Sequence, residues 1–242
     1  FASMFAHDIQ NPLAGIKKTL EWLGHRQELQ AKPVSKFFEE LHFTTELLLG
    51  MINDMLDVYQ ESYAGLPLVS SPFSVAALLQ EVAHLFRLEA ESKDVTIRFS
   101  LPEEEVTFVG DRRRFQRVGI NLVHNALKYS PPKGVITLSA RTEREAKPDI
   151  AFAAPGAPVL VIEIEDEGPG LDSNELPHLF EMFFRKKDGR DLRIGRGLGL
   201  HFCRLVVEAH GGRIWATNRP TGGAVFSMAL PLNGSDECRS GW

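Results

Sequence analysis

Two seams of apolar residues, spaced by three and four, constrain the first sixty residues more than any other feature of the sequence. They occupy residues 5–23 and 34–59, and the polar stretch between them ends in Pro33. Heptad-like spacing is typical of helices that pack along their length, and proline suits the first turn of a helix. The sequence therefore predicts an antiparallel helical hairpin over residues 1–63. Because a hairpin alone cannot cover so broad an apolar stripe, we expect a homodimer that completes a four-helix bundle.

His7 lies off the first seam, beside Asp8 and on the same helix face as Asn11. Pro12 removes a backbone donor, so a kink is expected next to this group. A neighbouring carboxylate can keep one imidazole nitrogen protonated and leave the other free as a nucleophile. The alternative is a surface histidine on a solvated helix face.

Residues 64–73 contain glycine, prolines and serines and are predicted to be a linker. Beyond it, Ser74 is expected to cap a helix over residues 75–93, and Asp111 to cap a second helix that carries two asparagines. Short alternating segments predict strands, and the last two of them form a hairpin. The final residues, 233–242, are expected to be a flexible tail.

Asn121, Asn125 and Lys128 share one face of the second predicted helix, at positions i, i+4 and i+7. The adjacent face is apolar and can pack against a core. Amide oxygens are plausible ligands for Mg²⁺, which otherwise keeps waters and substrate phosphates, and an ammonium group can bind phosphate. The alternative is a partly buried helix edge with solvated amides.

Asp166 ends the apolar strand VLVIEIED on the side of Leu160, Ile162 and Ile164. A carboxylate aimed toward a core needs hydrogen-bonding partners. Gly168 and Gly170 follow directly and allow a tight backbone with close approach of a ligand. Such an acceptor could receive the exocyclic amine of adenine, although a strand-end aspartate that only makes a turn is the competing interpretation.

A mostly charged stretch, residues 186–194, leads into the sequence GRGLGL at the start of a further helix. The stretch suits a mobile lid whose cations face phosphates, or else a plain solvated loop. Glycines at a helix start expose backbone N–H groups to an anion. Alone, this glycine pattern is weak evidence.

The composition excludes several classes of function. A net charge of −5 gives no reason to expect nucleic acid as a partner. Two cysteines offer neither a disulfide framework nor a metal site and fit a reducing, cytoplasmic compartment. No apolar run approaches the ~20 residues that span a bilayer, so we expect no direct membrane contact here. The chain begins in the middle of a helical pattern, and we interpret it as a fragment whose parent could carry a membrane anchor.

Taken in order, the motifs resemble the catalytic core of a sensor histidine kinase. AHDIQNPL resembles the phosphoacceptor box of that family, and NLVHNALKYSP resembles its asparagine box. DEGPGL and GRGLGL resemble its two glycine-rich boxes, with LFEMFFR as the phenylalanine box between them. HGGRIW followed by GGAVFSMALP is similar to the closing hairpin. The resemblance covers residues 1 to about 232.

The resemblance implies an α+β protein: a dimerising hairpin followed by an α/β sandwich, residues 74–232, of a mixed, mainly antiparallel sheet with helices on one face. It implies ATP and Mg²⁺ as ligands, phosphorylation of His7, and transfer of the phosphoryl group to an aspartate of a response regulator receiver domain. Asp8 would orient His7 and accept its proton, and Asn11 would orient water for dephosphorylation of the regulator. Arg185 would lie near the γ-phosphate.

The family pattern also assigns the nucleotide site residue by residue. Asn121 and Asn125 would bind Mg²⁺ or lie beside it, and Asp166 would bind the adenine amine. The remaining contacts to base and phosphates would come from Lys128, Tyr129, Gly168, Gly170, Gly195, Gly197, Leu198 and Gly199.

Three positions depart from the family pattern, and two other functions stay open. Ala6 replaces the usual serine, and Asp8 and Asn11 replace the usual glutamate and threonine, which are conservative changes in chemistry. The insertion at 144–158 has no assigned role. One alternative is an ATP-dependent conformational machine of the gyrase or chaperone type, which would have a glutamate in place of Asn121. The other is a non-catalytic dimeric adaptor.

Overall fold

The computed structural model describes Ile16, Leu41, Thr45 and residues 68–144, 157–181 and 199–232. The chain divides into two units, Phe1–Leu66 and Pro67–Trp242. In the first unit all three described residues are helical, as the predicted hairpin requires at these positions. Thr45 is buried and donates its hydroxyl to the carbonyl of Leu41 at 2.8 Å.

The second unit contains seven strands and four α-helices within its described residues. Strand β1 is followed by helices α1 and α2, then by strands β2 and β3, helix α3, strands β4 and β5, helix α4, and strands β6 and β7. A 3-10 turn, Leu176–His178, lies between β5 and α4. The bounds are β1 Ser71–Ser74, α1 Val75–Leu85, α2 Arg87–Ser92, β2 Thr96–Ser100, β3 Thr107–Gly110, α3 Arg112–Tyr129, β4 Val135–Glu143, β5 Val159–Glu165, α4 Gly199–Ala209, β6 Arg213–Asn218 and β7 Ala224–Pro231.

A five-stranded sheet in the order β2-β4-β5-β7-β6 forms the main layer. The β2–β4 pair is parallel and the other three pairs are antiparallel. This mixed, mainly antiparallel sheet confirms the predicted fold class of the second unit. Strand β5 is central, and its apolar side, with Leu160, Ile162 and Ile164, is buried as its alternation predicts. All four α-helices contact strands of this sheet.

Both predicted caps are present. The hydroxyl of Ser74 accepts the N–H of Ala77, and the carboxylate of Asp111 accepts the N–H of Arg114. Each cap satisfies one of the backbone donors that a helix start leaves unpaired. Asp111 also accepts the N–H of Val69, 42 residues away, so the α3 cap fixes the entry of the chain into this unit.

Two boundaries differ from the sequence prediction. The helix predicted over residues 75–93 is broken at Phe86, which is fully buried and whose ring lies 6.3 Å from that of His124 on α3. Packing of this ring against another helix overrides the continuous helical periodicity. The linker predicted over 64–73 ends earlier, because Ser71–Ser74 pairs with β3 in a separate two-stranded sheet.

Among the described residues, no helix combines the length and apolar character needed to span a membrane. The predicted tail and most of the 144–158 insertion lie outside the described residues.

Helices α1 and α3 pack closely enough that α3 needs a glycine at residue 119. A Cβ at Gly119 would lie 2.9 Å from Cγ2 of Val82, whose side chain is fully buried. We predict that Gly119→Ala lowers the free energy of unfolding by about 1–2 kcal/mol, because overpacking outweighs the gain of about 1 kcal/mol in helix propensity. In a Val82→Ala background the same change should be neutral or stabilising. Denaturant unfolding of the four proteins measures both effects, and equal effects in the two backgrounds would contradict this packing account.

A histidine joins the end of α4 to the start of α3. His210 Nε2 accepts the N–H of Asp111 at 3.0 Å, and its Nδ1–H donates to the carbonyl of Val206 at 2.7 Å, so both nitrogens are satisfied in the neutral ring. The ring also packs 4.7 Å from that of Phe115. Burial lowers the pKa of His210, although the Val206 bond and the Asp111 charge oppose that shift.

We predict that the second unit loses stability as the pH falls below about 6.5, the usual histidine pKa. The folded pKa is depressed, so protons bind the unfolded chain preferentially and the stabilisation present at higher pH is lost on acidification. Burial lowers the pKa of His124 in the same direction. His210→Gln should therefore flatten, without abolishing, the change in unfolding free energy between pH 7.5 and pH 5.5. An unchanged dependence in that variant would exclude His210 as its source.

Candidate functional site

Helix α3 places its polar side chains beside a fully buried apolar face. Asn121, Asn125 and Lys128 are all partly exposed on adjacent turns. The helix ends at Tyr129, just before two prolines. The amide face is therefore held in place by core packing on its other side, which is formed by Phe115, Val118, Gly119, Leu122, Val123, Ala126 and Leu127.

Asn121 connects this face to the start of α4. Its Nδ2 donates to the carbonyl of Gly199 at 3.3 Å, which leaves Oδ1 as an acceptor or metal ligand. A Cβ at Gly199 would lie 3.3 Å from the Asn121 amide, so the two helices meet closely here. The last glycine of the GRGLGL motif thus lies beside the first asparagine of α3. Gly195, Gly197 and Leu198 lie outside the described residues.

Lys128 and Tyr129 lie at the C-terminal end of the same helix. The ammonium of Lys128 stands 5.1 Å from the centroid of the Tyr129 ring, a cation–π distance. Tyr129 is 44% exposed, so its ring offers a surface for further contacts.

Asp166 is the buried carboxylate that the sequence placed at the end of β5, and it is only 4% exposed. Its Oδ1 accepts the N–H groups of Gly168 at 2.8 Å and Ala224 at 3.2 Å. Burial raises the pKa of Asp166, while the two N–H bonds and the positive charge of Arg219 act against that shift. Within the described residues no hydrogen bond is made to Oδ2, so this oxygen is available to an external donor.

Residues 166–171 form a tight loop at the end of β5, which we term the glycine turn. A Cβ at Gly168 would lie 2.8 Å from the carbonyl oxygen of Tyr129, so the turn rests directly on the end of α3. Gly170 has a φ of +79°, a conformation that L side chains rarely adopt. The end of α3 and the loop that follows β5 are therefore in backbone contact, and they form two parts of the candidate site.

A hydroxyl at this junction makes no hydrogen bond to the described residues. Ser130 directly follows Tyr129, and its Oγ is buried without a hydrogen bond among the described residues. Buried polar atoms are nearly always satisfied, so this hydroxyl is a group that a bound water or ligand could partner. Asp166 Oδ2 and the partly exposed asparagine amides are further polar groups to which a ligand could bind, and amide oxygens could hold a hard cation.

The β6–β7 hairpin supplies contacts that sequence reasoning missed. Asn218 makes two hydrogen bonds to the backbone of Leu171, at the far end of the glycine turn. Arg219 donates to the carbonyl of Asp166 at the near end. The only local sequence signal is the turn-forming run RPTGG, which marks a hairpin and says nothing about its partner.

Seven predicted site residues fall outside the described part of the chain: His7, Asp8, Asn11, Arg185, Gly195, Gly197 and Leu198. Their assigned roles stay predictions. Of the eight described ones, the structure brings Asn121 into contact with Gly199, and Gly168 into contact with Tyr129 and Asp166. Lys128, Asn125 and Gly170 are neighbours of these residues in the chain.

Two family models match the chain. Residues 110–234 match the histidine kinase-, DNA gyrase B- and HSP90-like ATPase model. Residues 1–62 match the phospho-acceptor domain model of histidine kinases.

Curated relatives agree with these matches. The chain is 30% identical over 238 residues to the adaptive-response sensory kinase SasA of Synechocystis, covering 95% of this chain and 58% of that protein. It is 32% identical to the sensor protein KdpD of Clostridium acetobutylicum over 93% of this chain and 24% of that protein. It is 30% identical to the signal transduction histidine-protein kinase BaeS of Escherichia coli over 96% of this chain and 46% of that protein. The chain thus spans about half the length or less of these relatives.

Solved structures share the fold. Full-length ShkA in complex with AMPPNP aligns with a TM-score of 0.68 at 24% identity, over 95% of this chain and 45% of that one. The catalytic domain of the histidine kinase ThkA aligns with a TM-score of 0.54 at 27% identity, over 67% of this chain and 95% of that one. With more than half of its residues matched by the ATPase model and a phospho-acceptor domain before it, the chain belongs to the sensor histidine kinase family.

Proposed function

We propose that this chain is the catalytic core of a sensor histidine kinase, which phosphorylates His7 from ATP and passes the phosphoryl group to an aspartate of a response regulator. One observation supports it most: the buried carboxylate of Asp166 has one oxygen fixed by two backbone donors and the other left for a ligand, beside the amide face of α3. The phospho-acceptor match of residues 1–62 supports a protein histidine as the acceptor.

In this proposal Asp166 Oδ2 accepts the exocyclic amine of adenine, and the glycine turn allows the base to approach the backbone. Lys128 and Tyr129 contact phosphate and nucleotide from the end of α3. Asn121 and Asn125 would hold Mg²⁺ through their amide oxygens, and the ion when bound would neutralise phosphate charge. The N–H groups near Gly199, together with those of the predicted residues Gly195, Gly197 and Leu198, would face the phosphates.

The phosphoryl transfer itself is assigned to residues outside the described part of the chain. A neutral ring nitrogen of His7 attacks the γ-phosphorus, the bond from that phosphorus to the β–γ bridging oxygen breaks, and ADP leaves. Asp8 takes up the proton from the other ring nitrogen, and Arg185 offsets charge near the γ-phosphate. Catalysis of this kind consists mainly of positioning and charge stabilisation. Asn11 would orient a water for dephosphorylation of the regulator.

The proposed homodimer forms through residues 1–63. Ile16 belongs to the first apolar seam, yet it is 46% exposed in the single chain. A seam residue that its own chain leaves uncovered is what a bundle completed by a second copy requires.

We predict that Asp166→Asn raises the Kd for ATP by about ten- to a hundredfold, the range for a hydrogen bond to a charged group. Asparagine can keep Oδ1 as acceptor for both backbone donors but offers an N–H₂ where the adenine amine binds. The preference for ATP over inosine triphosphate, which lacks that amine, should disappear. Titration with both nucleotides measures this, with the exposed Asp172→Asn as matched control. An unchanged preference would remove Asp166 from the base site.

We also predict that the full chain, incubated with γ-labelled ATP and Mg²⁺, acquires a label that is acid-labile and alkali-stable, as phosphohistidine is. His7→Gln should abolish the label, whereas His25→Gln should retain it. Full labelling of the His7 variant would refute the assignment of the acceptor. ATP turnover without labelled protein would favour the conformational machine.

A further inference from the structure

We propose that Asn218 and Arg219, at the tip of the β6–β7 hairpin, are positioning residues that hold the glycine turn and set its selectivity for a 6-amino purine. This inference rests on the proposed function of Asp166 as the base acceptor. The hydrogen bonds of both side chains go to the backbone of the turn, those of Asn218 to one end and that of Arg219 to the other.

Asn218 holds the far end of the turn. Its Oδ1 accepts the N–H of Leu171 at 2.7 Å, and its Nδ2 donates to the carbonyl of the same residue at 2.8 Å. One side-chain amide thereby replaces the two hydrogen bonds that a neighbouring strand would make. A Cβ at Gly170 would lie 2.9 Å from Asn218 Oδ1, so the turn is pressed against this amide.

Arg219 holds the near end. Its Nη1 donates to the carbonyl oxygen of Asp166 at 3.0 Å. Its Nε lies 3.5 Å from a carboxylate oxygen of Glu165, and Nη1 lies 3.8 Å from one of Glu167. The Arg219 side chain is 24% exposed. Its planar guanidinium lies near the carboxylates of the residues on both sides of Asp166 and donates to the Asp166 backbone.

The hairpin backbone completes the contact. A Cβ at Gly223 would overlap the carbonyl oxygen of Asp166, and Gly223 has a φ of +97°. The next residue, Ala224, donates to Asp166 Oδ1 and accepts the N–H of Asp166. Arg219 closes the hairpin on itself by donating its own N–H to the carbonyl of Gly223. The tip of the hairpin and the acceptor carboxylate are thus one connected unit.

Such support matters because a turn rich in glycine has little conformational preference of its own. A hydrogen bond that discriminates between an amine and a carbonyl on a purine needs its acceptor fixed to within a fraction of an ångström. Asp166 Oδ1 is fixed by N–H groups, but the position of Oδ2 depends on where the backbone of the turn lies. Freeing either end of the turn should therefore cost selectivity before it costs folding.

The test compares ATP with inosine triphosphate on the full chain in the presence of Mg²⁺. Asn218→Ala and Arg219→Met should each raise the Kd for ATP about tenfold while the Kd for inosine triphosphate changes little, so the ratio of the two shrinks by the same factor. Arg219→Lys, which can still donate to the Asp166 carbonyl, should recover most of the ratio. Arg87→Met, which breaks an exposed pair with Glu91 on α2, is the matched control and should behave as wild type.

The outcomes separate the two levels of the proposal. If the wild-type chain prefers ATP and the Asn218 and Arg219 variants keep the full preference, the role proposed for these two residues is wrong. The proposed function is unaffected by that result. Equal weakening of both nucleotides also overturns that role, because a merely structural role has that effect. A wild-type chain that binds neither nucleotide overturns the proposed function and this inference with it. If Asn218→Ala does not fold, Asn218→Asp, which keeps the acceptor and loses the donor, serves the same comparison.

Discussion

A carboxylate that is 4% exposed cannot be kept in a folded protein without partners, and the solution for Asp166 determines the geometry around it. Two backbone N–H groups, from Gly168 and Ala224, converge on one of its oxygens. To supply the first, the chain must turn sharply just after β5. To supply the second N–H group, that of Ala224, strand β7 must begin beside Asp166. The glycine turn and the start of β7 thus both contribute to satisfying this buried carboxylate.

The burial of Asp166 also affects how the site could bind a ligand. Burial raises the pKa of Asp166, so an additional donor to its second oxygen relieves part of the desolvation cost. A ligand amine at this position would supply that donor. At the other end of the candidate site, the amide N–H of Asn121 donates to the carbonyl of Gly199. A glutamate carboxylate could not make this donation. This contact distinguishes the chain from the alternative of a conformational machine that activates water through a carboxylate at this position.

Sequence reasoning succeeded where the determinants are local. The caps of Ser74 and Asp111 act three residues away, and the burial of Asp166 follows from strand alternation alone. It failed at Phe86, where packing against α3 breaks a helix whose periodicity is continuous. It also missed Asn218 and Arg219, because their partners on the glycine turn are 47 and 53 residues away and a single sequence gives no pairing information at that distance.

Amide hydrogen exchange on the full chain, with and without AMPPNP and Mg²⁺, tests most directly whether the glycine turn and α3 form the nucleotide site. The ligand is expected to slow exchange in peptides covering residues 166–172 and 121–130, while peptides from the edge strand β2 are unchanged. Slowed exchange confined to other parts of the second unit, or no change anywhere at saturating nucleotide, would contradict it.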